Sequence, residues 1–450
     1  MKKSLVALIL LGLSQFANAG EDFFSSVQIN VDTLPSDDNS PVEFRGYVLA
    51  IGKYGLDAPL AEYAFERSEA GISQMRTDAF MELRGSASDS LQWQVSGKAE
   101  LDWYRWESGQ GEWGLDRSRL RLKDAFIDAT FDNGLWIRAG HQIFTWGESE
   151  GLAVTDVLSP IDSRAPGQAE LQDIREQIPA VLASIPAADG KLSLVVSYRA
   201  GHNRYAESED DFYPYITLKD SGINIHVQDP QDWYEYAVRW ERQFNGGDIS
   251  FAAADVNANE LSVVDFQQSN NAAPSLSFSQ ARIQMAGATA NRVFGSWLLK
   301  GELAYHWGQM VDTGIAPLAL EQDQWRSALV GEYSGFDDLL ISLELNNIYA
   351  LQQYEAEGLG KSKLSQTGLV FRVRQTALNE RLTNQLWFYS LELERGVSAG
   401  SIVRADTSYD LSDSWELGLA AVIYTSTDNS QLLYPYQNND SINATVKYLF

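Results

Sequence analysis

Residues 441–450, Ser-Ile-Asn-Ala-Thr-Val-Lys-Tyr-Leu-Phe, put Ile442, Ala444, Val446, Tyr448 and Phe450 on one side and Ser441, Asn443, Thr445 and Lys447 on the other. Side chains alternate across a strand with period 2, so this segment is a ribbon with one apolar wall and one polar wall, ended by an aromatic residue. The pattern recurs along the chain. Trp93, Val95, Gly97, Ala99, Leu101 and Trp103 interleave with Gln92, Gln94, Ser96, Lys98, Glu100 and Asp102. Trp297, Leu299, Gly301, Leu303, Tyr305 and Trp307 alternate with polar Lys300, Glu302 and His306, and Tyr234, Tyr236, Val238 and Trp240 with Glu235, Arg239 and Glu241. Two of these stripes begin and end in tryptophan, and a water-soluble core rarely needs an indole at both ends. Strands that meet two membrane interfaces do.

The spacing of breaks between the strands carries the next inference. Eight short turn signals, at 88–90, 132–134, 187–190, 245–247, 291–295, 334–338, 379–380 and 412–413, alternate with nine longer polar stretches. The latter lie near 55–71, 106–116, 147–178, 200–232, 259–275, 310–322, 350–362, 396–400 and 426–438. Strict alternation predicts an all-β protein, a transmembrane antiparallel β-barrel of about 18 strands, with 16 or 20 inside the error of the boundaries. Lipid offers no hydrogen-bond partner, so an open sheet edge would leave a row of unsatisfied amides, and only a closed cylinder avoids that. At this strand number the lumen is wide enough to hold water or an inserted loop.

The amino-terminus agrees. Met1-Lys2-Lys3, the apolar run Leu5 to Leu13 and Ala17-Asn18-Ala19 before Gly20 read as a secretory signal peptide over 1–19. Residues 20–42 then form a periplasmic arm or plug, and 43–450 the barrel. Without the signal the chain carries 32 basic and 61 acidic residues, net −29, so nucleic acid is not an expected partner. Beyond residue 20 no run of 18 apolar residues occurs, so no transmembrane helix is expected. No cysteine is present, which removes disulfides and thiolate metal sites. The four histidines, His141, His202, His226 and His306, are not paired at a metal-ligand spacing, and neither G-x-S-x-G nor H-E-x-x-H occurs. Neither an enzyme nor a cofactor is expected, and the acids between Glu207 and Asp232 lack the spacing of a calcium loop. A final strand closing on Phe450 resembles the assembly signal of outer-membrane β-barrels. The expected surroundings are therefore the outer membrane of a Gram-negative bacterium, its lipid and its barrel-assembly machinery.

One connection differs from an ordinary polar loop. The 147–178 stretch holds Leu152, Val154, Val157, Leu158 and Ile161 among acids, prolines and arginines, so it can pack. We expect it to fold inward and gate or plug the lumen; the plainer alternative is an external cap. Its motif residues are Trp146, Gly147, Glu148, Gly151, Asp156, Pro160, Asp162 and Arg164, followed by Asp173 and Arg175. This run, W-G-x-x-x-G-L-x-V-x-D-V-x-x-P-x-D-x-R and then D-x-R, resembles the signature of a large proteobacterial outer-membrane family labelled a domain of unknown function. That resemblance implies genes beside an RND-type, MmpL-like exporter and a protein similar to the lipoprotein-sorting factor. Both an inner-membrane exporter and a periplasmic lipid or lipoprotein carrier are thus expected partners.

Just before the motif, Arg117, Arg119, Arg121 and Lys123 recur with period 2 and form a cationic ladder. Charges on the lipid face at mid-bilayer cost about 2 to 4 kcal/mol, so the ladder should face the lumen. The apolar phase then switches to Ala125, Ile127 and Ala129, which calls for a bulge near Asp124. The ladder either steers anions or neutralises luminal acids such as Glu100 and Asp102. Three functions follow: an export channel for a lipid-like or hydrophobic cargo or surface lipoprotein, working with the RND-type pump; a passive porin for small solutes, anions included; or a non-transporting scaffold or adhesin acting through its external loops.

Overall fold

A computed structural model describes the chain except residues 1–41, 108–109, 116, 169–173, 270–271, 313–318, 353, 357–359, 363–364, 394–396, 427–428 and 430. The expected signal peptide, and all of the expected arm except Val42, lie outside the described residues. From Val42 the chain forms β1 Val42–Gly55, β2 Gly71–Ser88, β3 Leu91–Glu107, β4 Arg119–Thr130, β5 Trp136–Gln142 and β6 Ile178–Ala187. There follow β7 Gly190–Tyr198, β8 Tyr234–Phe244, β9 Gly247–Ser269, β10 Ala272–Phe294, β11 Trp297–Asp312 and β12 Ala319–Phe336. The last six are β13 Leu339–Ala350, β14 Gln366–Ala377, β15 Leu382–Leu393, β16 Val397–Ser412, β17 Trp415–Thr425 and β18 Ser441–Leu449.

Each strand pairs antiparallel with the next, and β18 pairs with β1 from Tyr47↔Leu449 to Gly55↔Ser441, which closes an 18-stranded barrel. At the seam Gly46 and Phe450 exchange backbone hydrogen bonds of 2.8 and 3.0 Å, and the Phe450 ring stacks on Phe44 at 5.4 Å. A Cβ on Gly46 would clash with the Phe80 carbonyl oxygen and stand 2.9 Å from that ring, so the close approach of backbone here requires glycine. For 18 strands spaced ~4.8 Å and tilted ~40°, opposite backbones stand about 35 Å apart.

The outward face carries the apolar phase read from the sequence. Leu120, Ile127, Leu303, Leu329 and Leu419 are all at least half exposed, as are Tyr234 and Tyr236, while Glu100, Glu235, Glu302 and Glu344 face inward and are buried. Such an inside-out distribution suits a surrounding of hydrocarbon rather than water.

All eight tight turns fall at or next to their expected sites. Two departures concern the other end. The stretch 259–275, expected as a loop, is instead the outer half of the β9–β10 hairpin, whose strands run 23 residues each. Its inward residues Leu261, Val263, Leu276 and Phe278 make a small core with Tyr205, Tyr215, Leu218 and Ile225 of the 199–233 connection, so the strands have something to bury above the membrane. In the 106–116 stretch, residues 110–113 fold back on β3 as a short hairpin. The bulge on β4 is present, one residue before the expected position: Ser96 pairs with Asp124 and Gly97 with Leu122, skipping Lys123. Lys123 and Asp124 consequently both face inward, and the apolar phase resumes outside at Ala125 and Ile127.

Candidate functional site

Residues 143–168 and 174–177, between β5 and β6, enter the barrel. Phe144, Trp146, Val154, Val157 and Leu158 are buried in one cluster with inward residues of β6 to β12: Ile178, Ala237, Ala254, Val256, Ile283, Met285, Ala304 and Ala328. The inner wall here is built of small and aliphatic side chains, which leaves room for the loop and gives it an apolar seat. Gly287 on β10 keeps that room, since a Cβ there would lie 2.9 Å from Thr155 Cγ2.

Two luminal carboxylates pin the loop at its tip. Glu302 on β11 accepts the backbone N–H of Glu148, that of Ser149 at 2.5 Å, that of Thr155 at 3.3 Å and the Thr155 hydroxyl at 2.9 Å. Glu344 on β13 accepts the Ser149 hydroxyl at 2.6 Å and the N–H groups of Glu150 and Gly151 at 2.8 and 3.0 Å. Hydrogen bonds to a charged acceptor are worth about 1.5–3 kcal/mol each, so this is a strong anchorage. His306 Nε2 and Arg326 Nη1 take the carbonyls of Val154 and Ala153 at 2.8 and 3.2 Å.

The motif residues serve this anchoring. Gly147 and Gly151 let the backbone reach the carboxylates: a Cβ on Gly151 would stand 2.9 Å from Glu344 Oε1 and 2.6 Å from Val370 Cγ2. Trp146 is buried edge-on to Phe144. Asp156 forms an ion pair with Arg175 at 2.6 Å and accepts the Trp146 N–H at 3.4 Å; its burial raises the carboxyl pKa, against which Arg175 pulls. The Pro160 carbonyl accepts the Glu176 N–H at 2.8 Å. Burial alone would raise the pKa of Asp162, but hydrogen bonds and charge from Arg164, with the charge of Arg204, hold it below the usual range. Arg164 also reaches Glu100 on β3 at 3.3 Å. Asp173 lies outside the described residues.

The apolar first half of the loop seats on the β6–β13 side, and its later part crosses the lumen to Glu100 of β3 through Arg164 and to Tyr424 of β17, whose hydroxyl donates to the Pro166 carbonyl at 2.6 Å. A cavity of about 820 Å³ lies between the loop and the inner faces of β1–β4 and β15–β18. Of the described motif residues, only Asp162, Arg164 and Arg175 line it. The whole ladder lines it too, and it is engaged. Arg121 binds Glu100 of β3 and, at 2.5 Å, Glu176 of the loop; Lys123 lies 3.8 Å from Glu176. Arg117 and Arg119 meet Glu207, Glu209 and Asp210, with Arg117 to Asp210 at 3.1 Å. Those acids cover the outer end of the ladder. Asp102 pairs instead with Gln74 at 3.1 Å. The cavity lining holds 12 Lys and Arg against 11 Asp and Glu, so this cavity is close to neutral although the whole chain is strongly acidic.

Glu344 and Arg326 had no assigned role in the sequence, and Glu302 and His306 stood there only as members of a polar face. The available signal was indirect: Ala254, Val256 and Ala258 on β9 and Ile283, Met285 and Gly287 on β10 occupy positions that should be polar if water filled the lumen.

A closed 18-stranded antiparallel barrel with an inserted loop defines a porin-type outer-membrane fold. The solved structures agree: Acinetobacter baumannii OccAB3 aligns at TM-score 0.53 with 7% identity over 91% of this chain and 99% of its own. Pseudomonas aeruginosa OccK8 (OprE) aligns at 0.52 with 12% identity, over 92% and 98%. Pseudomonas aeruginosa OccK2 (OpdF), solved in complex with glucuronate, aligns at 0.52 with 11% identity, over 91% and 98%. The profile of the family described as "Protein of unknown function (DUF1302)" matches residues 104–381, more than half of the chain, and the chain belongs to that family. No curated protein sequence matches it.

Proposed function

We propose that this protein is an outer-membrane channel and that solutes pass through the half-lumen between the 143–177 loop and the wall of β1–β4 and β15–β18. The observation that carries this reading is the seat of the loop's first half: Glu302 and Glu344 hold residues 148–155 against one wall, and a cavity of about 820 Å³ lies on the other side. A passive path fits this geometry directly. Coupling to an inner-membrane RND-type exporter and a periplasmic lipid carrier rests on the family resemblance, with no feature of the barrel to add to it.

The near balance of lining charges sets the expected selectivity. Ladder cations already engaged by Glu100, Glu176, Glu207 and Glu209 present little net field to a passing ion. Purified barrel in a planar bilayer is expected to carry a steady current, with a reversal potential near zero across a tenfold KCl gradient. A membrane that stays sealed at every voltage would refute the channel; a strong anion preference would refute the charge compensation.

A further inference from the structure

Strand β1 breaks the rule that lumen-facing positions are polar. Its inward side chains Tyr47, Leu49 and Ile51 all line the cavity, and Tyr47 stacks on Phe80 of β2 at 5.3 Å. Outward, the same strand carries Phe44, Val48 and Ala50, so it is apolar on both faces. From the loop side Ile143 and Ile174 also face the cavity. Unlike the apolar seat at β9 and β10, no loop cluster buries this strip, and all three of its residues remain partly exposed.

The next inward residue is Lys53. Its Nζ lies 4.9 Å from the centroid of the Phe212 ring and, among the described residues, has no hydrogen-bond or ion-pair partner. Asp210 and Asp211 act on its charge, yet each carboxylate is already taken, Asp210 by Arg117 at 3.1 Å and Asp211 by Arg67 at 2.8 Å. An ammonium thus stands at the end of an apolar track four residues, about 13 Å, from Leu49. Charge complementarity and apolar contact together select one kind of occupant.

We propose that Tyr47, Leu49, Ile51 and Lys53 form a binding subsite for a carboxylate that carries an apolar body, with the carboxylate on Lys53 and the body along β1. This rests on the channel reading only in placing the cavity on the solute path. Octanoate is a suitable probe, with acetate as the head alone and octanol as the tail alone. In nanodiscs, with the heat of empty discs subtracted, calorimetry should find octanoate bound on the order of 100-fold more tightly than acetate, from partial burial of six methylenes. Lys53→Gln should weaken octanoate about 10-fold, the scale of one charge-assisted hydrogen bond, and leave octanol unchanged. Leu49→Asn with Ile51→Thr should remove most of the octanoate advantage. Those substitutions give β1 the polar inner face of its neighbours, so the barrel should still migrate as a folded species in unheated gels, and they keep the test alive if Lys53→Gln does not fold.

Octanoate bound no tighter than acetate, or unaffected by either variant, would overturn the subsite. Current measured separately divides the two readings: a barrel that conducts but shows no excess octanoate binding loses only the subsite, and one that binds octanoate but stays sealed loses only the channel.

Discussion

Replacing Glu302 and Glu344 together by glutamine is expected to raise single-channel conductance, by at most about twofold, and to add open-state noise. The two carboxylates accept seven hydrogen bonds from residues 148–155. Glutamine keeps the volume but presents an amide NH2 to backbone donors, so at each site one oxygen's bonds become donor–donor conflicts. With charge-assisted bonds worth about 1.5–3 kcal/mol each, losing even half of them exceeds what the His306 and Arg326 contacts to Val154 and Ala153 can supply at the loop tip. The apolar seat around Trp146 and Leu158 stays, so the loop lifts at its tip rather than leaving. Complete loss of a plug that fills roughly half of a lumen this wide would double the open area, so about twofold is the upper bound for lifting the tip. Folded double variant with wild-type conductance would mean that these acids do not hold the obstruction.

The second large effect is expected at the ladder. Arg119→Gln with Arg121→Gln turns the cavity lining from 12 cations and 11 acids to 10 and 11, and takes one partner each from Glu100, Glu176 and Glu207. Breaking one side of a buried pair such as Arg121–Glu100 costs about 3–5 kcal/mol, because the remaining charge is left uncompensated, whereas the exposed Arg119–Glu207 pair adds little. Arg164 and Lys98 still reach Glu100, at 3.3 and 3.7 Å, which limits the loss there. The reversal potential in a KCl gradient should move clearly toward cation preference, and the midpoint of urea unfolding should fall. An unchanged reversal potential would place both arginines off the ion path.

Strand number, phase and turn positions were legible in the sequence because each strand must satisfy two solvents at once. A period-2 stripe such as Trp297 to Trp307 leaves no freedom about which side faces lipid. The ladder's inward direction followed from the same constraint, and the phase switch between Lys123 and Ala125 revealed a bulge before any register was known. Glu100 could be named in advance because it lies on the neighbouring strand, but the ladder's loop partners were not legible, since Glu176, Glu207 and Glu209 arrive from loops 53 to 92 residues away whose path no local pattern encodes. The loop's aliphatic residues announced that it would pack, but its seat depended on Ala254, Met285 and Ala328, which are inconspicuous one strand at a time. For the same reason the β9–β10 extension read as a loop: its burial partner is another connection.

The central claim is that solutes pass on the β1–β4 and β15–β18 side of the loop and not on the other. The chain's lack of cysteine makes a direct measurement available. Ser408 lines the open cavity, whereas Ala328 is buried under the loop at 6% exposure. With Ser408→Cys, adding a charged methanethiosulfonate reagent to an open channel should lower the current in discrete steps; with Ala328→Cys it should do nothing. Block at position 328 together with silence at 408 would put the path on the wrong side of the loop and contradict the account.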